Sequence, residues 1–462
     1  MGLFLLNKRR LKHAFSSFIL SCVVMSCANT QSYAISVEKR YILQNVNIVD
    51  VVTGDVKKAH QVYVEDGIIQ QISASNIQKP RVQIIDAKGG FLLPGLIDMH
   101  VHAYDKSAFE LALSHGVTHV RIMNGIPNHL HWKQQQKEGS WLASSLTVST
   151  PIVHSRIEPP LSWTANNGEE ARRLVQKAKA LGYDLIKAYG SMDKASLSAM
   201  IDEANALNIP IAKHGPHPPT GLSWEALANM QSLEHVEDIY QGILGHSHDE
   251  TLIPSAIEKV SQVGVPITPT LNIFWQLTKI SEFKNAFVDS LPAGYISPFI
   301  AFYQKQNQVK RWLNSQDEMV AYNIKTLSFL KKITNQLALS NVPLLVGSDA
   351  GVLLSPHGLA TINEMMLLQS AGLSNIEVIR AATINAANAL ALDSKLGVID
   401  EGLQADFILL EDNPLQDLTT LNNVIAVSKE GKWLGKEQLL ALRENARNNH
   451  NVFSEMWTLF SN

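Results

Sequence analysis

Two histidines at the end of an apolar run are the residues of this chain best placed to do chemistry. The run reads Phe91-Leu-Leu-Pro-Gly-Leu-Ile-Asp-Met-His100-Val-His102. Side chains of a strand alternate between its faces, so His100 and His102 project together while Val101 points away. Two imidazoles on one face can hold a single metal ion. Surface strands carry such pairs by chance, so the pair gains meaning only from other groups brought to it. Several apolar runs further along also end in polar side chains. They are Asp184-Leu-Ile-Lys187-Ala-Tyr189, Ile211-Ala-Lys-His214, Ser232-Leu-Glu-His235 and Val346-Gly-Ser-Asp349-Ala-Gly351. Singly, each has an ordinary structural reading: a hydrogen-bonded rim histidine, a lysine extending its ammonium to water, an aspartate capping a helix or turn. Four histidines, a carboxylate and a lysine inside an apolar run, all at strand ends, are hard to obtain by accident.

The elements that must position these groups follow from periodicity. The middle of the chain alternates strand and helix, the pattern of parallel βαβ units. Strands are expected at residues 96–101, 118–123, 146–152, 185–189, 209–213, 232–235, 266–271 and 344–347, with amphipathic stretches at 169–180 and 194–206 between them. Eight such units predict an α/β fold, a (β/α)8 TIM barrel, whose active site lies at the C-terminal strand ends. The interval from 274 to 339 is too long for one barrel helix; it is expected to form extra outer helices or a lid over the site. Short alternating strands flank the barrel on both sides. Asp66-Gly67 and Glu430-Gly431 are hairpin signals. A small β-sandwich domain assembled from both chain ends is expected. The predicted organisation is a leader at 1–34, sandwich at 35–92, barrel at 93–395 with a helical insertion at 272–339, sandwich again at 396–440, and a C-terminal helix at 441–462.

Lys8, Arg9, Arg10 and Lys12 precede a short apolar stretch ending near Met25, which reads as a secretory signal too short to span a bilayer. Val24-Met-Ser-Cys27 resembles a bacterial lipobox, which would leave Cys27 lipidated; Ser32-Tyr-Ala34 fits ordinary signal-peptidase cleavage instead. The expected address is periplasmic or outer-membrane-anchored. Cys22 and Cys27 are the only cysteines, so a mature body cut after them has no disulfide, thiol catalysis or cysteine metal ligation. With 45% hydrophobic and 18% charged residues the chain can build a large core, and a formal net charge of −3 without a basic stripe argues against a nucleic-acid partner.

The set of motifs resembles the amidohydrolase superfamily, in its imidazolonepropionase-like and Xaa-Pro-dipeptidase-like branch. The resemblance covers nearly all of the mature chain: Leu93-Pro-Gly-Leu-Ile-Asp-Met-His100-Val-His102, Ile186-Lys187-Ala-Tyr189, Leu222-Ser-Trp-Glu-Ala-Leu followed by Ser232-Leu-Glu-His235, Gly347-Ser-Asp349-Ala, and the tail from Ala381 to Phe407. It implies that His100, His102 and Asp349 bind one divalent ion and His214 and His235 a second. Lys187, carboxylated by carbon dioxide to N6-carboxylysine, would bridge them. Zinc is the expected metal, with manganese or cobalt as substitutes. A metal-bridging hydroxide would attack the substrate carbonyl, with Asp349 taking its proton and passing it to the leaving amine.

The segment Lys213-His214-Gly-Pro-His217-Pro-Pro leaves two ligand choices, and strand phase favours His214 over His217. Tyr189, His217, Tyr240 and His357 are the substrate-contact candidates. The expected activity is hydrolysis of a small amide such as a dipeptide or N-acyl amino acid. A lactonase or other esterase uses the same metals, a mononuclear deaminase would lack the bridging lysine, and a non-catalytic binding module would have lost ligands.

Overall fold

The structure, a computed structural model, describes residues 40–156, 161–452 and 455. The leader with its expected cleavage and lipidation points, Cys27 included, lies outside the described residues. No described helix is long and apolar enough to cross a membrane.

The barrel forms from parallel strands in chain order. Leu96–Val101 pairs with Val117–Ile122, which pairs with Ser145–Val148. The Ser149–Leu185 bridge joins that group to Ile186–Ala188, Ile211–His214, Ser232–Glu234 and Ile267–Thr268. The eighth staves run without a regular ladder. Leu344 bridges Ile267, Ala350 bridges Val101, and Asp349 N donates to His100 O at 2.8 Å, closing the circle onto the first strand. Expected helices at 169–180 and 194–206 are found at Gly168–Leu181 and Lys194–Leu207. Asn167 and Asp193 cap them by accepting from Glu170 N and Ser196 N.

Two expected strands are shorter than the sequence suggests. The third ends at Val148 and the chain resumes as Ile152–His154, paired with Ser162–Thr164. Pro151 between the pieces has no N–H for a ladder. The seventh stops at Thr268, because Thr270 turns left-handed (φ 55°) and a helix starts at Leu271.

The flanking β domain is one eight-stranded sheet drawing Phe407–Leu410, Ala426–Lys429 and Lys432–Gly435 from the C-terminal part and the rest from the N-terminal part. Its edge strand Ile68–Ser73 is bridged by Gln404, just ahead of Phe407–Leu410, and the sheet packs around a core of Tyr41, Leu43, Val62, Val64, Phe407 and Leu409. The hairpins at Asp66-Gly67 and Glu430-Gly431 are present. All four residues have positive φ, the demand of a type I′ turn. A side chain on Gly431 would stand 2.7 Å from the Gly67 backbone, so the two tips pack too closely for anything larger.

Between the seventh and eighth staves lie helices Leu271–Ser290, Pro298–Gln306, Gln308–Leu313 and Asp317–Leu339. The second reaches over the C-terminal rim. Phe299 and Ile300 pack with Tyr104, Ile126 and Leu161, while Gln304 donates to Gly351 O (2.6 Å) and accepts from Leu354 N (2.7 Å).

Candidate metal centre

Strand order and alternation bring the candidate ligands to one cavity at the C-terminal rim. His100, His102, Lys187, His214, His235 and Asp349 all line it, with Tyr189, Ile152, Glu237 and Asp238 completing the wall. The rings run in a chain: His102–His100 at 5.3 Å between centroids, His100–His235 at 4.7 Å, His235–His214 at 4.4 Å and His214–Tyr189 at 4.2 Å. His100, His102 and Asp349 each present a ligand atom within 4.8 Å of the others, the spacing that one ion can gather.

The backbone at the rim is strained where ligands emerge. Asp349 (φ 53°) and His235 (φ 72°) both sit in the left-handed region, which side-chain-bearing residues seldom occupy. On the sixth strand Ser232 and Glu234 face the barrel interior, so His235 would turn away by simple alternation. Its positive φ swings the imidazole into the cavity. Such strain persists only where surrounding structure holds it, and it concentrates at functional sites.

Each of three histidines has one ring nitrogen tied to a partner. His100 Nδ1 lies 2.8 Å from Glu234 Oε2, His235 Nδ1 lies 2.7 Å from Thr270 Oγ1, and His214 Nε2 lies 3.0 Å from Asp238 Oδ2. The remaining nitrogen is left to ligate: Nε2 of His100 and His235, Nδ1 of His214. This is how metal-bearing imidazoles are usually oriented. Glu234 in turn accepts from Arg121 Nη2 at 2.7 Å, and Arg121 also donates to Met99 O, Gln231 Oε1 and Ser232 Oγ. Asp98 accepts from the Ser348 backbone N–H and hydroxyl, pinning the eighth stave beside Asp349.

Burial, with the Lys187 ammonium nearby, holds the His100 imidazole well below its ordinary value. Burial, with His214 and His100 beside it, does the same to His235. Both are therefore neutral and able to donate a lone pair. Burial opposes charge on Asp349, but His100 and a hydrogen bond from His102 outweigh it, so the carboxyl lies below its usual range. Lys187 is 1% exposed, and its Nζ has no hydrogen-bond partner. Burial pushes that amine down to about 8. A buried amine without a partner, facing neutral imidazoles and an ionised carboxylate, is unfavourable by itself. The His and Asp donor set fits a divalent metal.

Not every candidate reaches the cavity. The His217 imidazole packs against Gly242, where an added Cβ would lie 2.3 Å from the ring, and it does not line the cavity. Tyr240 faces elsewhere, its hydroxyl on His246 O (3.0 Å) and Tyr322 (2.8 Å). His357 lines an adjoining hollow with His102, Tyr104 and Asp105. His154, left without a role from the sequence, stacks 4.5 Å from Tyr189. Sequence reasoning missed Arg121, Glu234, Glu237 and Asp238. Arg121 and Glu234 left a trace, each as a charged residue inside an expected strand.

Residues 91–434 match the Amidohydrolase family. A 5′-deoxyadenosine deaminase of Methanococcus maripaludis is 23% identical over 76% of this chain and 83% of its own length. An N-acetylglucosamine-6-phosphate deacetylase of Lysinibacillus sphaericus is 24% identical over 81% and 94%. A dihydroorotase of Carboxydothermus hydrogenoformans is 36% identical, but over 21% of this chain and only 26% of that relative. In fold, the chain resembles a bottromycin amidohydrolase (TM-score 0.72, 21% identity, 89% of this chain and 91% of that one). It also resembles a Xaa-Pro dipeptidase (TM-score 0.65, 17% identity, 86% and 100%). With most of its length matched by the family and its barrel shared in fold, the chain belongs to the amidohydrolase family of metal-dependent hydrolases.

Proposed function

We propose that this amidohydrolase is a binuclear enzyme that hydrolyses a small amide, a dipeptide or an N-acyl amino acid. The observation that carries the reading is Lys187: fully buried, without a hydrogen-bond partner, and on the same cavity wall as both histidine pairs. Burial lowers its amine to about 8, so far more of it is neutral near physiological pH than of an ordinary lysine. The neutral amine attacks carbon dioxide and releases a proton, which turns a costly buried cation into a carbamate with two ligand oxygens. His100, His102 and Asp349 would hold one ion, His214 and His235 the other, and carboxylated Lys187 both; zinc suits these donors. When bound, the ions supply Lewis acidity to the substrate carbonyl and acidify water.

The chain's own groups do the rest. Asp349 takes the proton of the attacking water, and as the C–N bond breaks it delivers that proton to the leaving nitrogen. Glu234, Thr270 and Asp238 keep the imidazoles aimed. The helix Pro298–Gln306 narrows access of water to the rim. Similarity to a dipeptidase fold supports peptide-like substrates. The leader-like residues 1–34 extend the proposal to an exported enzyme, periplasmic or tethered through Cys27, which radiolabelled palmitate incorporation into wild type but not Cys27→Ala would test.

The direct test is metal content after reconstitution with zinc and bicarbonate, beside Lys187→Ala. A zinc content that falls by about one to two ions per chain in the variant, with activity partly rescued by short free carboxylic acids, is the expected outcome. Zinc content and activity both unchanged by the substitution would refute the binuclear reading and leave a mononuclear deaminase-type enzyme.

A further inference from the structure

A second converging set of ligand atoms lies outside the cavity. Asp105 follows the first barrel strand, His450 follows the last long helix, and Glu455 lies further along the C-terminal tail. One ligand atom from each lies within 4.8 Å of the others. His450 and Glu455 fall beyond the segment that matches the family.

Each of the three is held from outside the cluster by one atom, leaving another to face in. Asp105 Oδ1 accepts from Ala108 N at 2.9 Å, leaving Oδ2 2.7 Å from His450 Nδ1. His450 Nε2 lies 2.9 Å from the Gly294 carbonyl, which can only accept, so Nε2 carries the hydrogen. Glu455 Oε2 accepts from Ser297 Oγ, while its Oε1 is buried without a hydrogen-bond partner among the described residues; the residue is 1% exposed. Two carboxylate oxygens and an imidazole nitrogen thus converge, with Glu455 buried and Asp105 and His450 half-buried. Three such electron-rich atoms repel one another unless a cation or protons lie among them. Ligands of one zinc ion, each about 2.1 Å from it, stand about 3–3.5 Å apart, and the three atoms here lie within 4.8 Å of one another. At His450 one ring nitrogen is anchored to the Gly294 carbonyl and the other is hydrogen-bonded to Asp105, so a bound cation would stand where the Nδ1 proton lies.

We propose that Asp105, His450 and Glu455 form a further divalent-cation site, for zinc or a similar first-row ion. The ion clasps the C-terminal tail and the Gly294–Ser297 turn onto the loop that follows His102. Asp105 and Ser297 also line the hollow shared by His102 and His357, so the clasp braces the wall of the catalytic cavity.

The test counts zinc in the purified full chain by mass spectrometry, after chelation and reconstitution, in wild type, Glu455→Gln, Asp105→Asn and His450→Ala. Each variant is expected to lose about one equivalent, and the same equivalent to survive in Lys187→Ala. Zinc is expected to raise the melting temperature of Lys187→Ala but less so Lys187→Ala/Glu455→Gln, in which shape is kept and a ligand charge is lost. Zinc counts and melting shifts identical between Glu455→Gln and wild type would overturn the proposal, and would mean that protons hold the cluster. Should His450→Ala fail to fold, the two near-isosteric variants decide alone.

Discussion

Replacing Glu234 by glutamine perturbs the centre without touching a ligand. Glu234 is fully buried between Arg121 Nη2 at 2.7 Å and His100 Nδ1 at 2.8 Å. Burial opposes its charge, but the guanidinium beside it wins, and the carboxyl lies below its ordinary range. Glutamine keeps an acceptor for His100 and removes the anion. Loss of a partner behind a metal-bearing histidine typically costs about 10–100-fold in metal affinity, or roughly 1.4–2.7 kcal/mol. The substitution also leaves Arg121 as a buried charge without its counter-ion, a loss on the order of 3–5 kcal/mol from a total of about 5–15. Acceptors on Met99, Gln231 and Ser232 keep the loss toward the lower figure. The two effects separate in Arg121→Met/Glu234→Gln, where the orphaned cation is gone. Zinc affinity is read by competition with a chromogenic chelator and stability by urea unfolding. The double variant is expected to recover stability but not affinity. Wild-type zinc affinity in folded Glu234→Gln, or recovery of both quantities in the double variant, would show that Glu234 acts only on folding.

Other consequences are as specific. Asp349→Asn should lower kcat by about 10²–10⁴ with a much smaller change in KM at saturating zinc; a kcat within tenfold of wild type would remove Asp349 as the proton carrier. His115, His119 and His129 are each pushed down to about 3 by burial. His129 cannot take a second proton without losing a bond, since Nδ1 accepts from Ile126 N while Nε2 meets Ala103 O. Their folded values lie below the unfolded value near 6.5, so the unfolded chain takes up protons first. Stability from these groups is present above about pH 6.5 and is lost on acidification toward 3, by up to roughly 1.4 kcal/mol per pH unit for each. Urea midpoints measured from pH 7 to 5 should fall, and less steeply in His119→Asn; parallel slopes in the two proteins would contradict this. Gln304→Leu cuts both bonds from the insertion to the loop after Asp349. It should raise KM several-fold and speed amide exchange at Leu354, and unchanged exchange there would show that the helix does not brace the rim.

Much of the candidate site was legible because its signals are local. His100 and His102 share a face through strand alternation alone. Lys187, His214 and Asp349 end apolar runs whose βα spacing predicts a barrel, and a barrel gathers all its strand ends on one rim. The hairpins at Gly67 and Gly431 were equally plain, since a tight turn demands positive φ at known positions. The strand breaks at Pro151 and Thr270 were less so. The proline lay in view, but a left-handed threonine carries no signal in its type.

What the sequence by itself determined was therefore the order of elements, the fold class and the candidate ligands borne on strand ends, all set by short-range periodicity and residue chemistry. Only the tertiary structure decided which groups stand behind those ligands. Arg121 and Glu234 are 113 residues apart, as are no two members of a local motif. They meet because barrel closure sets the register between distant staves. The choice of His214 for the cavity, with His217 turned against Gly242, and the swing of His235 by a positive φ depend on the same packing. So does the meeting of Asp105 with His450 and Glu455. A buried charge is tolerated only beside its partner, and the partner is fixed by the way the whole chain closes.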